Sequence, residues 1–294
     1  MGKDFGRLIT AMVTPFNEDL EVNYDRAGTL ATYLADNGSD SIVVAGTTGE
    51  SPTLTVDEKI QLFKTVVNAV KGKVNVIAGT GSNSTRQSIE ITRRAEEVGV
   101  DGLMLVVPYY NKPPQDGLYQ HFKEIASSTS LPIMLYNVPG RTSVNLAAQT
   151  TIRLAEIENI FSIKEASGDL EQVSQIVRET PDDFLVYSGD DSMTMPTLSV
   201  GGQGVVSVSG HIIPKQIKSM IDAFFNGDVI KAAQYHGELM TVFKGMFIST
   251  NPVPVKTSLN LLGLKVGPVR LPLVEMTEEQ VNSLENILKK AGVL

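Results

Sequence analysis

The sequence predicts an α/β chain, a (β/α)8 TIM barrel with a C-terminal helical appendage, and three observations predict it. Eight short apolar segments recur through the first two-thirds of the 294 residues: 8–13, 41–45, 74–78, 102–107, 133–136, 161–164, 184–187 and 204–208. Helically spaced stretches separate most of them, and strands alternating with helices imply parallel pairing and right-handed crossovers. Three helix-to-strand junctions share one grammar. Gly38-Ser39-Asp40, Gly99-Val100-Asp101 and Gly201-Gly202-Gln203 each stop a helix with glycine just before an apolar run. Glycine takes the left-handed conformation that ends a helix at little steric cost.

The elements follow in order. Leu8–Val13 opens the barrel, and Ser41–Ala45 runs into a glycine-threonine turn. The stretch from Val56 to Val70 then places Ile60, Phe63, Val66, Val67 and Val70 on one stripe, the mark of a helix packed on a sheet. Eight such units fit a barrel of about 200–250 residues. A doubly wound sheet is the alternative, but it needs a glycine-rich fingerprint at the first turn, where Thr14-Pro15-Phe16-Asn17 stands instead. Gly79-Thr80-Gly81-Ser82-Asn83-Ser84 imitates half of that fingerprint, lacks the third glycine and follows the wrong strand. After Ser209 the grammar changes. Pro214–Phe225, Val229–Thr250, Pro254–Leu262 and Thr277–Ala291 read as helices without intervening strands, punctuated by Asn226-Gly227-Asp228 and Gly267-Pro268. The expected division is therefore a barrel over 1–226 and a helical appendage over 227–294.

Composition excludes several classes of function. Of the residues 42% are hydrophobic, and the net charge of −8, with no long basic run, argues against nucleic acid. No apolar run approaches the roughly 18 residues that span a bilayer. The first ten residues lack the apolar core of a secretory signal, so the expected compartment is the cytoplasm. With no cysteine there is no disulfide, thiolate metal site or cysteine nucleophile.

Barrel enzymes assemble their sites where strands run out into the following loops. Strand six, around Ser162-Ile163-Lys164, is the most informative, because lysine is rarely buried without a partner. Period-two alternation puts Phe161 and Ile163 on one face and Ser162 with Lys164 on the other. Either this is an edge strand whose lysine meets water, or a desolvated amine is held there as a nucleophile. Strand two ends in Gly46-Thr47-Thr48-Gly49-Glu50-Ser51, an ordinary polar turn or an amide cradle for a carboxylate. Strand four ends in Tyr109 and Tyr110, and strand five in Tyr136-Asn137-Val138-Pro139-Gly140-Arg141. Tyrosine pairs more often pack than react, and Arg141 could simply be solvated. Asp190 and Asp191 after strand seven read as helix caps rather than metal ligands. His211 is the one histidine near these ends, which removes a Ser-His-Asp triad and makes a zinc site unsupported. One amine, several hydroxyls, an amide-rich turn and a guanidinium suit carbonyl chemistry through an imine.

Gly46-Thr47-Thr48-Gly49-Glu50, Tyr136-Asn137-Val138-Pro139-Gly140-Arg141-Thr142 and Lys164-Glu165-Ala166-Ser167 resemble the signatures of the dihydrodipicolinate synthase family, within the pyruvate-dependent class I aldolases. The resemblance runs in order through essentially the whole chain. It implies a Schiff base between Lys164 and pyruvate, with the pyruvate carboxylate held by Thr47 and Thr48. It also implies Tyr136 as proton relay, linked to Thr48 and to a Tyr110 from a neighbouring subunit. Arg141 would dock the carboxylate of the second substrate, L-aspartate 4-semialdehyde, while Gly189 and Val206 would line the pyruvate pocket. The family commonly has isoleucine at the place of Val206. No cofactor or metal is implied, and the expected assembly is a homo-oligomer, tetramer or dimer. Sialic acid lyases and other sugar-acid aldolases share the barrel and lysine, but usually have serine at Thr47 and lack an arginine at Arg141. A non-catalytic keto-acid-binding barrel is the other alternative, and retention of Lys164 and Tyr136 counts against it. Lysine-inhibited members carry histidines where this chain has Val56 and Lys59, and glutamate where it has Gln87. Ser51, Asn83 and Tyr109 do match that inhibitor cleft.

Overall fold

The structure, a computed structural model, describes residues 4–294. Eight parallel strands close on themselves: β1 (Leu8–Ala11), β2 (Ser41–Val44), β3 (Asn75–Gly79), β4 (Gly102–Val106), β5 (Ile133–Asn137), β6 (Ile160–Glu165), β7 (Leu185–Ser188) and β8 (Gly204–Ser207). β1 pairs with both β2 and β8, so the barrel has no edge strand. The eight strands fall within two residues of the expected segments at every boundary. Helices α1 (Tyr24–Asp36), α2 (Val56–Val70), α3 (Thr85–Val98), α4 (Gln115–Ala126), α5 (Pro139–Thr142), α6 (Ala148–Ala155), α7 (Leu170–Glu179) and α8 (Thr194–Ser199) lie between successive strands, and α9 (Pro214–Phe225) follows β8. The junction glycines behave as expected, with φ of +115° at Gly38, +86° at Gly99 and +98° at Gly201.

Two apolar layers result. A large outer cluster, including Leu34, Phe63, Val66, Phe122 and Ile217, fills the space between sheet and helices. A smaller inner cluster fills the barrel, with Ile9, Val43, Ile77, Met104, Met134, Tyr136, Tyr187 and Val206. α2 is set by a capping box, in which Thr55 accepts from the Glu58 amide while Glu58 accepts from the Thr55 amide.

β6 departs from strict alternation. Ile163 lies in the outer layer, but Phe161 packs into the inner one, stacked on Phe5 at 4.9 Å. The register against β5 shifts between Ile133 and Met134, so β6 carries one extra residue there. Such a bulge breaks strict alternation locally. Above it the period resumes, and Ser162 and Lys164 share a face as expected.

The appendage is α10 (Val229–Gly245), α11 (Val253–Leu261) and α12 (Glu278–Lys290), beginning after a turn in which Gly227 takes φ +85°. α10 was expected to continue to Thr250. It stops at Gly245, and a non-helical stretch leads to α11, whose first turn contains Pro254. That stretch brings Asn251 to the top of the barrel. No helix among the described residues is long and apolar enough to cross a membrane.

Candidate active site

Lys164 stands on the inner face of β6, in register with Tyr136 on β5 and Tyr187 on β7. It is 5% exposed, so the closed barrel rules out the edge-strand reading. Its Nζ sits over the Tyr136 ring, 4.2 Å from the centroid, where the negative ring face stabilises an ammonium. Among the described residues neither the amine nor the Tyr136 hydroxyl hydrogen-bonds to protein, which leaves both for a substrate. Gly189, just beyond β7, makes room for the amine. A Cβ there would lie 3.2 Å from Lys164 Cε and 2.6 Å from Ala166 Cβ. Val206 belongs to the same inner layer as Tyr136 and Tyr187. Tyr187 itself donates to the Gly6 carbonyl at 2.9 Å and is committed to structure.

The turn after β2 is tightly constrained. Ala45 and Glu50, at its two ends, take φ of +53° and +54°, a conformation costly for non-glycine residues. Within it Gly49 N donates to Gly46 O and Glu50 N to Thr47 O, while Thr14 Oγ1 donates to Gly49 O at 2.7 Å. The amides of Thr47 and Thr48 have no partner among the described residues. Two adjacent free N–H groups in a pinned turn form a ready anion cradle. Gly79 closes under this turn, since a Cβ on it would meet Ala45 O at 2.4 Å. The glycine at this half-fingerprint therefore serves backbone packing.

Arg141 lies on the single helical turn α5, exposed, with Nη2 reaching the Asn251 carbonyl at 3.5 Å. It has no ion-pair partner among the described residues. Tyr110 is the outlier of the expected set: it is 90% exposed and takes φ +73°. Within one chain it does not meet Tyr136 or Thr48. Nor does a hydrogen bond join Thr48 to Tyr136; Thr48 Oγ1 accepts instead from Asn251 Nδ2 at 3.0 Å.

A cavity of about 340 Å³ is lined by Gly46, Thr47, Tyr136, Val138 and Arg141, and Lys164 lies at its edge against the Tyr136 ring rather than in its wall. The cavity continues to Ser51, Lys59, Ser82, Gln87 and Tyr109, so the expected inhibitor cleft and the strand-end site share one space. Burial pushes the Lys59 ammonium below its ordinary pKa. Gln87 accepts from Ser82 Oγ at 2.7 Å.

Several residues escaped the sequence reading. Glu50 was read only as the end of a motif, yet its carboxylate binds Lys256 Nζ at 2.9 Å and the Arg270 amide at 2.9 Å. Lys256 also donates to Thr14 O and Pro268 O. Burial pushes it down to about 8, with Glu50 opposing. Asp190 caps a short helical turn as expected, by accepting from Ser192 N. Asp191 does not act as a surface cap. It is buried and accepts from Ser207 Oγ and the Val208 and Ser209 amides, tying the β7 exit to β8. His211 donates from Nδ1 to Val208 O and accepts at Nε2 from Val13 N, and burial lowers its pKa to about 4. It is a neutral structural group. Glu165, behind Lys164 on the outer face, accepts from Asn137, Ser167 and Gln172. Sequence offered no signal for the partners of Glu50, which lie more than 200 positions away.

The model of the Dihydrodipicolinate synthetase family matches residues 4–291. The chain is 59% identical over 292 residues to a 4-hydroxy-tetrahydrodipicolinate synthase of Desulforamulus reducens, covering 99% of both chains. Its structure is similar to that of a DHDPS from Cyanidioschyzon merolae with lysine bound, with TM-score 0.98, 52% identity and 99% coverage of each. It also resembles a chloride-inhibited dihydrodipicolinate synthase from Acinetobacter baumannii in complex with pyruvate, with TM-score 0.96, 39% identity, and coverage of 99% and 100%.

Proposed function

The chain belongs to the dihydrodipicolinate synthetase family, and from that premise we propose that it condenses pyruvate with L-aspartate 4-semialdehyde through an imine on Lys164. It is a lyase of the class I aldolase type, acting at the entry to diaminopimelate and lysine biosynthesis. The observation that carries the mechanism is a buried lysine that, among the described residues, makes no protein hydrogen bond and sits against the ring of a buried tyrosine. In the proposed division, residues 1–226 carry the chemistry and 227–294 brace it. The cytoplasm is its proposed setting.

The amine of Lys164 attacks the pyruvate carbonyl, and loss of water gives the imine. Thr47 and Thr48 hold the pyruvate carboxylate with their amides and hydroxyls, and Gly189 and Val206 leave room beside the amine. Loss of a methyl proton gives the enamine, whose carbon attacks the aldehyde carbon of the semialdehyde. Tyr136 supplies the proton to the resulting alkoxide. The amino group of the condensed product then attacks the imine carbon, closes the ring and releases Lys164. Tyr110 completes the relay from a neighbouring subunit, and its 90% exposure and lack of a partner among the described residues support that placement. Reduction with borohydride in the presence of pyruvate, followed by mass spectrometry, should find a pyruvyl adduct on Lys164. Turnover with the semialdehyde then separates this reading from a sugar-acid aldolase.

Arg141 is the proposed dock for the semialdehyde carboxylate. A charge-assisted hydrogen bond contributes about 1.5–3 kcal/mol, so Arg141→Ala should raise the semialdehyde KM about tenfold or more and leave the pyruvate KM nearly unchanged. Steady-state kinetics with each substrate varied decides it; a rise confined to pyruvate would assign the docking elsewhere.

Free lysine should inhibit this enzyme poorly. In the cleft, Gln87 offers no negative charge to an ammonium and Lys59 adds a positive one. The missing charge-assisted bond alone costs about 1.5–3 kcal/mol. Half-inhibition below about 1 mM, corresponding to roughly −4 kcal/mol, would contradict this expectation.

A further inference from the structure

We propose that Asn251, supplied by the helical appendage, is a positioning residue that makes the Thr48 hydroxyl a proton donor toward bound substrate. This rests on the imine reading of Lys164 and deepens it. Asn251 is 5% exposed and Thr48 3%, and Asn251 Nδ2 donates to Thr48 Oγ1 at 3.0 Å. A hydroxyl has one hydrogen and two lone pairs. With one lone pair taken by the amide, the Thr48 hydrogen must point away from Asn251. Among the described residues that hydroxyl donates to no protein acceptor, which leaves its hydrogen for a substrate bound beside Thr47, the neighbouring residue that lines the cavity. A carboxylate only accepts, and an alkoxide does likewise. The substrates therefore need Thr48 in this sense and no other.

Asn251 Oδ1 is buried and accepts no hydrogen bond among the described residues. Here only the donating end is used, which sets the sense of the bond. The Asn251 carbonyl also accepts from Arg141 Nη2 at 3.5 Å, so one residue of the appendage touches both proposed carboxylate-binding groups.

The Asn251→Asp variant is the decisive test, because it preserves shape and removes the donor. An ionised aspartate takes the Thr48 hydrogen and turns it out of the site. The kcat/KM for pyruvate should fall at least tenfold at pH 8, and the ratio of variant to wild-type activity should rise as pH falls and the aspartate protonates. Asn251→Ala, which frees the hydroxyl to rotate, should lose about fivefold with no added pH dependence. On a Thr48→Val background neither substitution should cost more than twofold. Full retention of kcat/KM by Asn251→Asp, or equal losses with and without the Thr48 hydroxyl, would overturn the proposal. If Asn251→Ala does not fold, the near-isosteric aspartate and its pH profile still decide. Borohydride trapping of pyruvate on the wild-type enzyme is read in parallel. An adduct there with unaffected variants refutes the role of Asn251 alone, whereas no adduct refutes the imine reading on which it rests.

Discussion

A Lys164→Ala variant is expected to lose borohydride trapping of pyruvate entirely and to lose nearly all turnover, while folding as the parent does. The amine is the one nucleophile positioned over Tyr136, and an alanine offers no nitrogen for the imine. Stability should change little. The truncation gives up some methylene packing, but it also removes an amine that is desolvated and unpaired, and these oppose each other. Far-UV circular dichroism and a denaturant midpoint would establish that the fold is intact. Substantial turnover without an adduct would remove the imine mechanism. The same variant probes assembly. Mixed with Tyr110→Phe subunits, it contributes an intact Tyr110 to a neighbour that has an intact Lys164. Partial recovery of activity in verified mixed oligomers is expected if Tyr110 serves the adjacent site.

The legibility of this chain follows the range of the interactions involved. The strands and the junction glycines could be read because their signals are local: period two, period 3.6, and a left-handed stop at Gly38, Gly99 and Gly201. Lys164 stood out because a charged residue on an apolar strand violates the local pattern, and the closed barrel then turned that violation inward. The side of Phe161 was misread because a bulge is set by the neighbouring strand, and nothing within the segment marks it. Tyr136, Arg141 and the threonine pair were legible as strand ends, and the family resemblance gave them roles. What the local pattern could not supply was the bracing of that turn. Asn251, Lys256 and Arg270 all lie in the appendage, and their partners Thr48 and Glu50 lie near the second strand. Such pairings carry no periodicity, so a polar residue in a helical tail looks like solvated surface until the fold places it.

That bracing predicts the largest stability effect in the molecule. Lys256 and Glu50 are 2% and 1% exposed at their side chains, with Nζ and Oε1 2.9 Å apart. The pair ties α11 to the turn that carries Thr47 and Thr48. Taking two charges out of water costs several kcal/mol per ion, and their attraction repays this only with the remaining groups satisfied. Here they are. Lys256 also donates to the carbonyls of Thr14 and Pro268, and Glu50 also accepts from the Arg270 amide. Lys256→Met keeps the apolar stem and strands the Glu50 carboxylate, which should destabilise the fold by about 3–5 kcal/mol. It should also raise the pyruvate KM, because the strained turn at Glu50, φ +54°, loses the contact that holds it. The double variant Lys256→Met with Glu50→Gln removes both charges and should recover a substantial part of the loss, giving a coupling energy well above about 0.5 kcal/mol. Urea unfolding of the four proteins in this cycle measures that energy directly. Additive losses would mean that the two charges act independently, and that the turn is held by its own hydrogen bonds and not by the appendage.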